Sequence, residues 1–219
     1  MVSFAVQREN MVESQVRTAD VVDRRIIRAM LEIPREAFVP EDVRALAYMD
    51  GDVPITQSQS RFMMAPGVHA KLIQFLEIED NAVVLDVGCG TGYGSAIMAR
   101  LAQTVVGLES DPAIAESATK ILSELGVDNV VIVIGELTAG WPSEGPYDAI
   151  LLNGSVPEVP SVLLEQLKDG GRLAAIEADE GVSRARIWQR SGKTVSARTV
   201  FDAAAKPLPG FERKPEFVF

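Results

Sequence analysis

Between residues 82 and 176 the chain alternates short, nearly unbroken apolar runs with longer stretches whose apolar positions recur every three or four residues. Runs such as Val83-Val-Leu85 and Val130-Val-Ile-Val-Ile134 lack the alternation of a half-exposed strand and predict strands covered on both faces. The pattern places strands at 82–87, 104–109, 129–134, 147–152 and 172–176, with helices crossing between them. One such helix carries its own punctuation. Ser110-Asp-Pro112 supplies a cap and a proline for the first turn, Leu125-Gly126 supplies a stop, and Ile114, Ala118, Ile121, Leu122 and Leu125 recur at helical spacing between them. The fold class that follows is α/β, a three-layer sandwich around a mostly parallel sheet.

Upstream, 9–17 and 20–33 read as two helices, the second stopped by Pro34. Residues 35–64 are turn-rich, and a stretch of that length is a lid, a binding loop or disordered. Downstream, 184–189 and 194–200 alternate around Ser191-Gly-Lys193, which predicts an antiparallel hairpin. The expected organisation is a single domain: N-terminal helices and a substrate loop in 1–65, a cofactor-binding core in 66–180, and the hairpin and tail in 181–219.

Composition narrows the function. A net charge of -10 opposes a general nucleic-acid binder, which needs clustered cations. Arg184, Arg186, Arg190, Lys193 and Arg198 form the nearest candidate for a basic patch and read as a solvated face of the hairpin. Charged residues interrupt every apolar segment before it reaches membrane-spanning length. Cys89 is the sole cysteine and the chain opens without a basic stretch leading into an apolar run, so a reducing, cytoplasmic setting is expected. No metal is expected, and the oligomeric state is not readable.

The candidate chemistry sits where the first sheet strand ends, in Asp86-Val-Gly-Cys-Gly-Thr-Gly92. A strand running into glycines and then a helix brings a ligand close to backbone N–H groups. The dinucleotide fingerprint fails, because its third glycine slot holds Tyr93 in one register and Ser95 in the other, and no Gly-Lys-Ser/Thr follows to make a phosphate loop. What stands there is an acid two places before Gly-x-Gly-x-Gly. S-adenosylmethionine is cationic at its sulfonium and ammonium groups and has no phosphate, so the Asp86 carboxylate favours it and would repel a pyrophosphate. Glu109 ends the next strand, roughly 20 residues on, where a carboxylate accepts both hydroxyls of a ribose. Gly88, Cys89 and Gly90 of the turn and Ser110 beside Glu109 complete the near part of the site. Gly135, Glu136 and Asn153 close later strands on the same crevice, with Glu136 placed for an adenine amino group and Asn153 for the reacting end. Plainer readings stand beside these: a tight strand-to-helix turn, a helix cap at Glu109, solvated loop residues at Glu136 and Asn153. Cys89 reads as small filler between glycines, and His69 as a satisfied histidine on a helix face.

Four stretches of this chain resemble the protein-L-isoaspartate O-methyltransferases. They are Met11-Val-Glu-Ser-Gln15; Ala29 through Pro40, with Ala47-Tyr48 and Pro54-Ile55; the glycine turn; and Pro157-Glu-Val-Pro160 continuing through Leu164 to Leu173. Pro34-Arg-Glu-Ala-Phe-Val-Pro40 is the most family-specific of them. The resemblance implies a Rossmann-like methyltransferase fold, S-adenosylmethionine as cofactor, and methyl esterification of isomerised aspartyl residues in damaged proteins or peptides. It also implies an active-site loop similar to Gly-x-Gly-Gln-Thr-Ile-Ser-x-Pro. Here Gln59 matches the glutamine, Ser60 stands for the threonine, Thr56 and Ser58 replace the glycines, Phe62 occupies the serine slot and two extra residues precede Pro66. Ser60 is therefore the candidate catalytic hydroxyl, with Ser58 as the alternative. The rebuilt loop leaves open a family member that binds the cofactor but acts on another acceptor or through partners.

Overall fold

The structure, a computed structural model, describes residues 3–58, 60–179 and 181–212. Gln59, matched above to the family's loop glutamine, and the end of the tail, 213–219, lie outside the described residues.

The first helix, α1 (Phe4–Met11), starts earlier than the apolar spacing predicts because Ser3 caps it, its hydroxyl accepting from the Val6 amide at 3.4 Å. It runs on through a π-helical turn at Val12–Val16 and a 3-10 turn at Arg17–Ala19. Asp20 was expected to open the second helix, but its left-handed backbone (φ 63°) closes the first. Asp23 is the true cap of α2 (Arg24–Glu32), accepting from the Arg25 amide at 2.8 Å. The turn-rich stretch is ordered: two 3-10 turns, Arg35–Phe38 and Glu41–Leu46, lead into a minimal hairpin of β1 (Val53–Pro54) and β2 (Phe62–Met63).

From there the chain follows the alternation that its sequence predicts. The order is α3 (Pro66–Leu76), β3 (Val83–Val87), α4 (Tyr93–Met98), β4 (Thr104–Glu109), α5 (Pro112–Glu124), β5 (Val130–Ile134), β6 (Tyr147–Val156), α6 (Ser161–Glu165), β7 (Leu167–Asp179), β8 (Val182–Ser191) and β9 (Thr194–Asp202). The seven-stranded sheet runs β5-β4-β3-β6-β7-β8-β9, parallel from β5 to β7 and antiparallel at β8 and β9.

Alternate residues of each central strand feed two apolar layers. Val84, Val105, Leu151 and Ala174 join the layer beneath the N-terminal helices, α3 and α4, while Leu85, Val106, Ile150 and Leu173 join Leu163, Leu208 and Phe211 on the other face. That second cover is thin, made of the five-residue α6, single turns and an extended C-terminal segment. One expectation needs correction. The run at 130–134 predicted cover on both faces, yet β5 is an edge strand whose Val131 and Ile134 are more than half exposed. Edge position overrides what the apolar run suggests.

Of the five basic residues of the hairpin, Arg184, Lys193 and Arg198 are exposed, as a solvated face requires, while three make contacts within the chain. Arg186 pairs with Glu177, Arg190 donates to the carbonyls of Glu165 and Leu167, and Arg198 lies over the Phe75 ring.

After β3 the chain builds the sheet outward through β4 and β5, and then returns to the other side of β3 with β6. The order therefore reverses between β3 and β6, and a crevice opens outside the carboxyl ends of these strands, the usual ligand position in such sheets.

Candidate functional site

Gly88, Gly90 and Gly92 have φ of 70°, 58° and 94°, values that L side chains rarely adopt, so this path from β3 into α4 requires glycine at all three positions. Their amides do not wait for a ligand. Gly88 and Cys89 donate to the Leu108 carbonyl, Gly92 donates to the Cys89 carbonyl, and Gly90 donates to Glu109 Oε2 at 3.0 Å. The expectation that this turn offers free N–H groups therefore changes. The glycines bring other groups into close approach: a Cβ on Gly88 would lie 2.6 Å from Leu208, and one on Gly90 2.6 Å from Ile55.

Glu109 sits at the end of β4 with no exposed surface. Oε1 accepts from the amides of Ser110 at 2.8 Å and Asp111 at 3.1 Å, and from the Ser110 hydroxyl at 3.3 Å. These bonds fix the carboxylate plane against the glycine turn. Arg61 then grips it with both ends of its guanidinium, Nη1 to Oε1 at 2.5 Å and Nη2 to Oε2 at 2.7 Å, while Nη2 also reaches the Gly88 carbonyl at 3.3 Å. Burying such a pair carries a desolvation penalty of several kcal/mol per ion, in order of magnitude, which a bidentate geometry with further hydrogen bonds offsets.

Asp86 lies behind the turn, fully buried, accepting from the Ser95 hydroxyl at 2.6 Å and from the Asn153 side-chain amide. Burial pushes its carboxyl up to about 7, against the lowering effect of those two bonds, and the Glu109 charge pushes the same way. Asn153 thus reaches the crevice from β6 as a partner of Asp86. Cys89 is buried between the two carboxylates, and burial first, then their charges, raise its thiol well above the ordinary value. Gly135 is tied to the end of β4 by its amide, 3.0 Å from the Glu109 carbonyl. Glu136 is exposed and accepts from the Thr138 hydroxyl at 2.7 Å.

The β1–β2 hairpin carries the remaining candidates. Ser60 is exposed at its tip, where its hydroxyl lies 2.8 Å from that of Ser58 and 3.3 Å from that of Thr56. Thr56 Oγ1 accepts from the amides of Ser60 and Arg61. The structure brings Asp86, Gly88, Cys89, Gly90, Glu109, Ser110 and Asn153 together and sets Ser60 among its own loop hydroxyls. Arg61, the residue next to it, was not singled out by sequence reasoning. The signal available was a lone cation between a polar tip and Phe62-Met-Met64, in a loop that the resemblance already placed beside the cofactor.

A buried cation, Arg35, and the rings of Tyr93 and His69 hold this assembly from below. Arg35 is fully buried, donates to the carbonyls of Ala47 at 2.7 Å and Met64 at 2.6 Å, and lies 4.8 Å over the Tyr93 ring. Arg35 of the family-specific Pro34–Pro40 stretch thus clamps the middle and the end of the turn-rich segment, and Thr91 of the glycine turn donates to the Phe38 carbonyl of that stretch at 2.6 Å. His69 corrects an expectation. It is buried against Gly94 with no protein partner on either ring nitrogen, and burial first, then the Arg35 charge, lowers it to about 3.

The space left among Ile55, Phe62, Met63, His69, Tyr93 and Asn153 is about 10 Å³. Among the described residues no group of three or more His, Cys, Asp and Glu is placed to hold a metal ion, and no helix is long and apolar enough to cross a membrane.

Residues 6–204 match the family model of Protein-L-isoaspartate(D-aspartate) O-methyltransferase (PCMT). The chain is 37% identical over 179 residues to protein-L-isoaspartate O-methyltransferase 1 of Syntrophobacter fumaroxidans, covering 82% of this chain and 83% of the relative. It is 38% identical over 212 residues to protein-L-isoaspartate O-methyltransferase 1 of Rhodopseudomonas palustris, covering 96% and 86%. A solved protein-L-isoaspartate O-methyltransferase superposes with a TM-score of 0.82 at 27% identity, over 93% of this chain and 66% of that one. A Plasmodium falciparum structure described as a β-aspartate methyltransferase in complex with S-adenosyl-L-homocysteine shares the fold, with a TM-score of 0.77 at 20% identity over 94% and 98%.

Proposed function

The chain belongs to the protein-L-isoaspartate(D-aspartate) O-methyltransferase family, and from that premise we propose that it methylates the carboxylate of isomerised aspartyl residues in damaged proteins or peptides. S-adenosylmethionine supplies an electrophilic methyl group when bound. The observation that carries the reading is Glu109: a wholly buried carboxylate fixed by three amides at the mouth of a Gly-x-Gly-x-Gly turn.

The residues suit this cofactor by chemistry. The crevice presents acceptors, the Glu109 carboxylate and the Gly88 carbonyl, and Arg61 shows that a cation with several donors satisfies them. Glu109 would hold the ribose hydroxyls, the glycines would admit the cofactor against the backbone, Ser110 keeps Glu109 oriented, and Gly135 with Glu136 would border the adenine side. Asn153 would line the reacting end, with its side-chain amide held by the buried Asp86 behind the turn.

A carboxylate acceptor is ionised at neutral pH, with a reference pKa of about 4, so no general base has to remove a proton. His69 is not required as one. Rate enhancement comes from holding the acceptor oxygen in line behind the methyl carbon, where proximity and orientation contribute on the order of 7–11 kcal/mol. The hydroxyl cluster of Thr56, Ser58 and Ser60 supplies donors to orient the acceptor, with Ser60 as the candidate hydroxyl. A reaction of this kind belongs in the cytoplasm, on soluble substrates.

Incubating the protein with methyl-labelled cofactor and an isoaspartyl peptide tests the reading. Base-labile label on the isoaspartyl peptide and none on its aspartyl counterpart is expected; no label at high enzyme concentration contradicts it. A second reading, another acceptor on the same cofactor site, is favoured by Phe62 in the family's serine slot and Ser60 at the hairpin tip. It predicts label on some other carboxylate or hydroxyl acceptor and none on either peptide.

A further inference from the structure

The crevice is filled by side chains that come from outside the glycine turn. Arg61 enters from the hairpin and satisfies both Glu109 oxygens and the Gly88 carbonyl. Ile55, from the base of the same hairpin, lies against Gly90, and Leu208, from the C-terminal segment, lies against Gly88. About 10 Å³ remains, room for one water at most. A ligand of cofactor size needs a cleft of roughly 300 Å³ or more.

Resting on the reading of this crevice as the S-adenosylmethionine site, we infer that Arg61 is an internal ligand that holds the site shut, making the β1–β2 hairpin an autoinhibitory strap that sets cofactor affinity.

Hydrogen-bond accounting supports the exchange. Oε1 of Glu109 takes the Ser110 and Asp111 amides and the Ser110 hydroxyl, Oε2 takes the Gly90 amide, and each oxygen takes one further bond from a guanidinium nitrogen. Those are the bonds that two ribose hydroxyls would make. With Arg61 seated, both Glu109 oxygens and the Gly88 carbonyl are paired, and the cofactor would repair each acceptor that Arg61 vacates. Nothing else about Glu109 has to change.

The strap is built to move as a unit. Among the described residues its strand pairing is Val53 with Met63 and Pro54 with Phe62, plus the Ile55 amide on the Arg61 carbonyl at 2.9 Å, and Thr56 Oγ1 accepts from the Ser60 and Arg61 amides across the turn. At its base Asp52 accepts from the Ala65 amide at 2.9 Å and from the Lys206 amide at 3.0 Å, and the Lys206 ammonium lies over the Phe62 ring. The Leu208 segment itself is held to β6, the Leu208 amide on the Ser155 carbonyl at 2.9 Å and the Ser155 amide on the Lys206 carbonyl at 2.9 Å, so an opening of the hairpin about Asp52 withdraws Arg61 and Ile55 and leaves Leu208 in place. The apparent dissociation constant rises in proportion as the open fraction falls.

Calorimetric titration of S-adenosylmethionine into the full chain and into Arg61→Ala and Arg61→Gln tests this, with cooperative thermal unfolding confirming that each variant is folded. Arg61→Gln keeps the apolar stem and serves if the alanine variant does not fold. The expected result is at least tenfold tighter binding in the variants than in the unsubstituted protein. Equal affinity in all three, or weaker binding in the folded variants, overturns the strap and leaves the methyltransferase reading standing. No binding to any of them overturns the cofactor reading and the strap together.

Discussion

Arg35 lies 4.8 Å above the ring of Tyr93, wholly buried, with its Nε on the Ala47 carbonyl and one Nη on the Met64 carbonyl. A side chain at the start of the turn-rich segment thereby fixes a point in its middle and a point at its end, against the first residue of α4. Truncation to Arg35→Ala leaves two buried carbonyls without donors and opens a cavity beside Tyr93. A loss of about 2–4 kcal/mol in unfolding free energy is expected from denaturant titration. A loss below about 0.5 kcal/mol would show that the clamp is decorative.

Asp86 gives a pH dependence with a defined sign. Its carboxyl titrates near 7 in the folded protein, against an ordinary value of 3.8, so the folded state holds the proton more tightly than the unfolded state. The stability that this provides is complete below about pH 4 and is lost as pH rises through 7. Asp86→Asn removes the titration and keeps the shape, with its amide facing Ser95 and its oxygen facing Asn153. Relative to the unsubstituted protein, the variant is expected to gain about 2 kcal/mol or more between pH 5 and pH 8. A difference that stays constant across this range would place the Asp86 titration elsewhere.

His69 titrates in the opposite sense. Burial and the Arg35 charge hold it near 3 when folded, against 6.5 ordinarily, so its contribution to stability is present above pH 6.5 and is lost as pH falls toward 3. Because it is the sole histidine, its ring proton resonances need no assignment. They are expected to stay at the neutral position from pH 8 down to pH 5; a midpoint near 6.5 would mean that the ring is solvated.

The sheet was legible because its central strands are covered: apolar runs at 83–87 and 104–109 have no other use in a charged composition, and three alternate glycines after an acid leave few backbone paths. Glu109 was legible for the same reason, since its position follows from the strand that ends on it. Arg61 was not, because its partner is 48 residues away and nothing local distinguishes it from an exposed loop arginine. The N-terminal helix boundaries failed on caps: Ser3 and Asp23 outcompete the apolar spacing that pointed to Glu9 and Asp20. For β5 the composition was read correctly as strand, but the run of valines and isoleucines carries no mark of sheet position, and edge and centre look alike.

We propose that the methyl donor docks in the crevice at the ends of β3 and β4. Titrating nitrogen-15-labelled protein with S-adenosylmethionine and following the backbone amide and arginine side-chain resonances tests it most directly. Shifts are expected to concentrate on Gly88–Gly92, Glu109–Asp111 and the Arg61 guanidinium, the last moving toward its free-solvent position. Saturable shifts that gather elsewhere, such as around the open cavity of about 320 Å³ between Glu77 and Arg172, with the glycine turn and Arg61 unmoved, would contradict it.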